Sequence, residues 1–215
     1  MKVVTFNIRC DYGQDGLNEF ANRKELILRK INQEKPDIIG FQEVLPHVAK
    51  WLKENLNEYY VIGCGRGANL RDEQMSIAYR RDRINLISMK TWWLSQTPDV
   101  PGSRYEEQSS CPRTATEAVF EDIKNDKVFR FINTHLDHIG AQAREKGLTQ
   151  IINQLNQERF WKDIPVILCG DFNAEPNAPE MEIISRDSSF NNLTKDIGIT
   201  FHGYYKTIQM IRHAV

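Results

Sequence analysis

The chain is poor in the features that would assign it to a special class. It has only four cysteines in 215 residues, Cys10, Cys64, Cys111 and Cys169, scattered along its length. No pair sits at zinc-ligand spacing and no set suggests a disulfide framework, which excludes a zinc knuckle and a cystine scaffold and fits a reducing compartment. There is no apolar run long enough to span a membrane. The chain starts directly on a β-rich run without a leader, so a cytoplasmic protein is expected, and a mature secreted form stays open. There is no excess of charge of either sign: 28 basic and 29 acidic residues give a net charge of −1. Strong duplex binding usually leaves a basic face, so nothing global calls for a long polyanion. Internal repeats and low-complexity linkers are also missing. What remains is 40% hydrophobic and 27% charged. That is ordinary for one globular domain over residues 1–215 with a sizeable core.

What is present is an alternation of apolar runs and amphipathic stretches. Residues 22–34 read as a helix with Leu26, Ile27, Lys30 and Ile31 on one stripe, the lysine stem covering apolar surface. Residues 46–56 read as a second helix, opened by Pro46 and carrying Val48, Trp51, Leu52 and Leu56. Residues 59–63 form a short strand. Residues 74–81 and 84–94 read as a hairpin around Arg81-Asp82, and 114–122 with 127–135 as another around Asn125-Asp126. Between them, 95–113 is a long loop, of a length that often carries function. Residues 141–159 make the longest helix, with Leu148, Ile151, Ile152 and Leu155 inward. Strand 165–170 and a short helix near 178–185 follow. This mixed order predicts two packed mixed sheets with helices on their outer faces.

Four apolar runs end on polar groups. Val3-Val4-Thr5-Phe6 leads to Asn7, and Ile38-Ile39-Gly40-Phe41-Gln42 to Glu43. Val128-Phe129-Arg130-Phe131-Ile132-Asn133-Thr134 leads to His135, and Val166-Ile167-Leu168-Cys169-Gly170 to Asp171 and Asn173. Each has an ordinary explanation. Asp171 and Asn173 suit an Asx-turn leaving a strand. Glu43 suits a cap on the helix opened by Pro46, and His135 a satisfied rim histidine. Together they suggest more: if the strands are neighbours running the same way, five polar groups converge on one rim, where open α/β sheets place ligand groups. An oxygen-rich set with one imidazole suits a hard cation such as Mg²⁺ and makes a poor zinc site.

Thr-Phe-Asn-Ile-Arg (5–9), Gly-Phe-Gln-Glu (40–43), Asn-Thr-His-Leu-Asp-His (133–138), Gly-Asp-Phe-Asn-Ala-Glu-Pro (170–176) and Thr-Phe-His-Gly (200–203) occur in this order. They resemble the endonuclease/exonuclease/phosphatase superfamily, the deoxyribonuclease-I-like proteins. Asp15-Gly16-Leu17-Asn18, Trp93-Leu94-Ser95, Thr97 to Ser103 and Cys111-Pro112-Arg113 look like one bacterial branch of it. The resemblance runs from residue 2 to about 203. It implies a four-layer α/β sandwich with the site at one end of the two sheets. It also implies Mg²⁺-dependent hydrolysis of phosphoesters, with Mn²⁺ as a substitute. Glu43 would be a metal ligand, and Asn7 would orient the ligands or a metal-bound water. Asp171 would position or deprotonate the attacking water, Asn173 would donate to the phosphorus centre, and His135 to a phosphate oxygen. Glu73 matches an acidic rim position and Arg113 lies in a matched segment, so both are read as contacting substrate. His138 is read beside them, at the substrate or fixing the loop with Asp137.

One departure stands out. The resemblance implies a closing Ile-Asp-Tyr-Ile strand and a Ser-Asp-His segment, and residues 204–215 contain neither. His213 is not given that histidine's role. The expectation is a domain lacking its last strands, less active and less stable than relatives that have them, unless a partner completes the site. The expected substrate is a small phosphoester or a phosphorylated headgroup. A catalytically inactive binding module and a nuclease are the alternatives.

Overall fold

A computed structural model describes residues 1–186, 190–198 and 200–201. Among the described residues, eight strands make two four-stranded sheets. The first contains β1 (Val3–Asn7), β2 (Ile38–Gln42), β3 (Tyr59–Ile62) and β4 (Ile77–Arg80), in the order β1-β2-β4-β3. The second contains β5 (Ile84–Trp93), β6 (Thr114–Asp122), β7 (Lys127–His135) and β8 (Val166–Asp171), in chain order. Each sheet has one parallel pair, β1 with β2 and β7 with β8, and the rest are antiparallel. Helices α1 (Phe20–Glu34) and α2 (Pro46–Asn55) accompany the first sheet, and α3 (Ala141–Gln157) and the short α4 (Glu182–Arg186) the second. Among the described residues no helix is long and apolar enough to cross a membrane.

Three apolar clusters give this two-sheet, four-layer order. Ile27, Ile31, Val48 and Leu52 pack under Ile39 and Phe41 on the outer face of the first sheet. Leu148, Ile151 and Leu155 pack under Trp92, Ala115 and Ile132 on the outer face of the second. Ile38, Ile77, Tyr79, Phe120, Phe129 and Phe131 fill the space between the sheets. Near the site, that inner layer turns polar. Gln42 donates to Asn133 Oδ1 at 2.7 Å, and Asn133 Nδ2 donates to the Phe41 and Ser76 carbonyls at 2.7 and 3.0 Å. Gly40 lets the sheets approach here, since a Cβ would lie 2.7 Å from Cys169 Sγ.

Two expectations need correction. β4 and β5 are not a hairpin. β4 lies between β2 and β3, so both its edges are taken, and β5 pairs with β6 in the other sheet. The turn binds both sides: Arg81 N–H donates to the Glu58 carbonyl, and the Arg83 guanidinium forks onto Asp122 at 2.9 and 3.0 Å. In α1 the buried stripe is Phe20, Ile27 and Ile31, while Leu26 is 60% exposed and Lys30 pairs with Glu34 at 2.7 Å. The helix starts two residues earlier than expected. Phe20 packs edge-on against Trp51 at 5.2 Å and sets the rotation of the helix. The other helices, the β6–β7 hairpin and the long loop before β6 lie where the sequence places them.

Candidate active site

The two parallel pairs bring the polar strand ends together. β1 contacts β8 across the sandwich, and β2 contacts both β7 and β8. Within the sheets, Asn7 pairs with Gln42 and His135 with Asp171, so all four strands finish at one edge. At that edge Asn7 joins the sheets. Its Nδ2 donates to Glu43 Oε1 at 2.7 Å and to Asp171 Oδ2 at 3.0 Å. Its Oδ1 accepts from Arg9 N–H at 2.9 Å, which fixes the amide's orientation.

Glu43 leaves β2 in the left-handed region, with φ of 62°. That conformation is costly for a residue with a Cβ and is held by its surroundings. Cys10 N–H donates to Glu43 Oε2 at 2.7 Å. Burial pushes the Glu43 carboxyl up, but the His135 ring, charged only in acid, and the Asn7 and Cys10 donors outweigh it and hold the group below the usual range. Glu43 does not cap α2: that helix is preceded by Leu45, with no side-chain cap.

Asp171 forms the Asx-turn and also faces the site. Its Oδ1 accepts from Asn173 N–H at 3.0 Å, while Oδ2 meets Asn7. Asn173, with φ of 49°, adopts the left-handed conformation asparagine tolerates best. Its Nδ2 donates to the Leu136 carbonyl at 3.1 Å and lies 2.8 Å from His135 Nε2. Both amide hydrogens are therefore used inside the protein. His135 Nε2 must accept, which places the imidazole proton on Nδ1. Burial, then the charge of Arg113, push the His135 pKa down to about 4, so the ring is neutral near pH 7.

Glu73 and Arg113 lie in a second, buried layer. Arg66 donates to Glu73 Oε1 at 2.9 Å and to Asp72 Oδ2 at 3.1 Å, and Tyr12 O–H reaches both carboxylates. Burial raises the Glu73 carboxyl, with Arg66 opposing and Glu43 adding to the rise. Arg113 lies 2.8 Å from His138 Nδ1 through Nη2, and its Nε is 3.7 Å from Asp137 Oδ2. Burial and the neighbouring Arg66 lower its pKa. Asp137 fixes the adjoining loop, accepting from Ser109 N–H and O–H and from Ile139 and Gly140 N–H. His138 is exposed on the rim.

Sequence reasoning missed Tyr12 and Asp72 and gave Arg66 little weight. The only hint was a run of charges in 66–73, which by itself reads as a solvated loop. Residues 202–203 of the Thr-Phe-His-Gly segment, the tail after it and His213 lie outside the described residues.

The donors suit a hard cation. Glu43 is a largely buried carboxylate with an acceptor site left on each oxygen, and Asp171 is tied to it through a single amide nitrogen. Among the described residues no group of three or more His, Cys, Asp or Glu is placed to enclose a metal. Mg²⁺ keeps several waters and is commonly held by one or two carboxylates, so this open oxygen set fits it.

Known proteins share this architecture. A structure of an endonuclease/exonuclease/phosphatase from Bacteroides vulgatus is 34% identical, with a TM-score of 0.81 over 86% of this chain and 70% of that one. A mannosyl-6-phosphatase from Bacteroides thetaiotaomicron is 30% identical, with a TM-score of 0.81 over the same shares of the two chains. An uncharacterised protein of Acanthamoeba polyphaga mimivirus is 28% identical over 183 residues, which is 81% of this chain and 68% of that protein. The family model described as the Endonuclease/Exonuclease/phosphatase family matches residues 4–210, almost the whole chain, and with the shared two-sheet fold this makes the chain a member of that family of phosphoesterases and nucleases.

Proposed function

We propose that this protein hydrolyses phosphoester bonds by metal-assisted attack of water on phosphorus. The observation that carries the reading is the Asn7 amide bound at once to Glu43 and Asp171, one carboxylate from each sheet. Glu43, with Asn7 beside it, would hold Mg²⁺, or Mn²⁺ in its place. Such an ion supplies Lewis-acid stabilisation of phosphoryl and leaving-group oxygens.

The protein's own groups have separate tasks. Asp171 is held at both oxygens, so it presents a fixed carboxylate that orients an attacking water and takes its proton. Asn173 locks His135 in the Nδ1–H form. The His135 proton then remains for a phosphate oxygen, as electrostatic stabilisation by a preset donor. Donation by Asn173 itself to the phosphorus centre requires its amide to release His135 or Leu136. On the substrate side the exposed His138 would meet the substrate, with the buried Arg113 behind it and the buried Glu73 held by Arg66. The near-neutral chain favours a small phosphoester or a phosphorylated headgroup over a long nucleic acid.

The test is hydrolysis of an aryl phosphodiester and an aryl phosphomonoester with Mg²⁺ or Mn²⁺, with chelator and Glu43→Ala as controls. Metal-dependent turnover is expected, falling at least about 100-fold in the variant. A folded protein with no turnover on either ester would leave the binding-module reading in its place. Binding of oligonucleotides that weakens steeply with salt would instead favour a nuclease.

A further inference from the structure

Three segments at the site's edge each carry a residue with a side chain in the left-handed region. They are Arg9 after β1, Glu43 after β2 and Asp72 between β3 and β4, with φ of 62°, 62° and 80°. Such conformations are costly outside glycine and persist where the surroundings fix them. The bonds that fix these three form one chain. Arg9 N–H reaches Asn7 Oδ1 at 2.9 Å, and the next amide, Cys10 N–H, reaches Glu43 Oε2 at 2.7 Å. Two residues further on, the Tyr12 hydroxyl lies 3.0 Å from Asp72 Oδ1 and 3.1 Å from Glu73 Oε1. Asp72 Oδ1 also accepts from Glu73 N–H at 2.7 Å, and Arg66 spans both carboxylates. Gln74 bridges to Val44, so the 66–73 loop runs beside the turn that carries Glu43.

Tyr12 is an unusual link in that chain. It is 55% exposed, so its ring contributes little burial. A tyrosine so open ordinarily leaves its hydroxyl in water. Here the hydroxyl is the anchored end, and it reaches a Glu73 that is buried. Its one hydrogen is shared between two carboxylate oxygens, and bonds to ionised acceptors are the stronger ones. The rest of the 9–15 loop is fixed elsewhere. The Arg9 guanidinium forks onto Asp15, while Asp11 accepts from Phe20 N–H and lies 2.8 Å from His47 Nε2. Those contacts tie the loop to itself, to α1 and to α2. The Tyr12 hydroxyl ties it to the 66–73 loop, next to Glu43, whose charge reaches both Cys10 and Glu73.

We propose that Tyr12 is a positioning residue for Glu43: its hydroxyl latches the 9–15 loop to the 66–73 loop and so keeps the Cys10 N–H on Glu43 Oε2. The proposal rests on the hydrolase reading for the cation that Glu43 would hold, and goes beyond it by naming a residue that acts on that carboxylate through another. Asn7 takes a lone pair on Oε1 and Cys10 one on Oε2, so the carboxylate cannot rotate and its remaining lone pairs keep set directions. Partners that orient a metal ligand in this way typically change metal affinity about 10–100-fold when lost. Tyr12 stands one bond further out, which puts its effect at the lower end.

The test compares the 215-residue chain with Tyr12→Phe, which removes only the hydroxyl, and Tyr12→Ala, which also removes the ring. Thermal melts across a Mg²⁺ or Mn²⁺ titration give affinity without turnover. Both variants should need about tenfold more of either ion, and should do so equally, because the hydroxyl is what they share. Their metal-free Tm should stay within about 3 °C of the parent, as an exposed side chain allows. Hydrogen exchange of the amides in 8–12, measured without metal, should quicken at least about fivefold in both. Any loss of turnover on the aryl esters should shrink as Mg²⁺ is raised. Parent-like affinity and exchange in Tyr12→Phe would overturn the latch. So would a loss confined to Tyr12→Ala, which would assign the effect to the ring, or a lower metal-free Tm with unchanged affinity, which would make Tyr12 merely structural. If the parent binds neither ion, the hydrolase reading falls and the exchange rates decide the latch: faster in Tyr12→Phe upholds it, unchanged overturns it.

Discussion

Asp171 and Asn173 were legible in the sequence because an Asx-turn after a buried strand is a local event, and the same turn puts the second carboxylate oxygen on the rim. Glu43 was legible as the polar residue that ends a buried apolar strand, although its left-handed φ was not. The Arg66–Asp72–Glu73–Tyr12 group was not legible: it depends on loops folded over one another, and no pattern in 12–15 or 66–73 announces that meeting. Cys10 carries a consequence at this scale. Burial, then the Glu43 charge, push its thiol up to about 12, so little thiolate is present near neutral pH. Alkylation of Cys10 at about pH 8, followed by peptide mass spectrometry, should be slow and should quicken roughly threefold to tenfold in Glu43→Gln. An unchanged rate would mean that the Glu43 carboxylate does not bear on the thiol.

Among the elements, the helices and most strands were legible because apolar periodicity and Pro46 mark them directly. The rotation of α1 was not, since Leu26, Ile27, Leu28 and Ile31 allow more than one stripe. Phe20, two residues before the expected helix start, decides between them through Trp51. The difference has an energetic signature. Ile27→Ala should cost about 2–4 kcal/mol in denaturant unfolding, as buried truncations of this kind do. Leu26→Ala, at 60% exposure, should stay within about 0.5 kcal/mol. Equal losses at the two positions would contradict the orientation of α1. The pairing of β4 was hidden for a related reason. A strand buried at all but its last residue gives no sign of which edges are taken, and a tight turn after it looks like a hairpin whichever sheet receives the next strand.

The whole molecule depends on two sheets meeting in one register, and Asn133 is the polar group that specifies it. It donates to carbonyls of β2 and of the segment before β4, and accepts from Gln42. Asn133→Leu removes those three bonds from a sealed layer, where the Ser76 carbonyl keeps only the Phe41 N–H and Gln42 Nε2 keeps only Thr5 Oγ1 and the Gly40 carbonyl. The expected loss is about 2–4 kcal/mol in urea unfolding. A loss under about 1 kcal/mol would mean that apolar packing alone sets the register. No local pattern reveals this arrangement. Asn133 reads as one more member of a strand motif until the opposite sheet is in place.

The turn at 81–83 divides the chain more cleanly than its length would suggest. Everything before it builds the first sheet, and everything from β5 through β8 builds the second. Each half is therefore a continuous stretch of polypeptide that carries part of the candidate site: Asn7 and Glu43 in one, His135, Asp171 and Asn173 in the other. The candidate site is in effect a seam between two modules. A nick at that turn would leave two complementary fragments, neither with a site of its own, whose recovery of phosphate binding would report their reassembly.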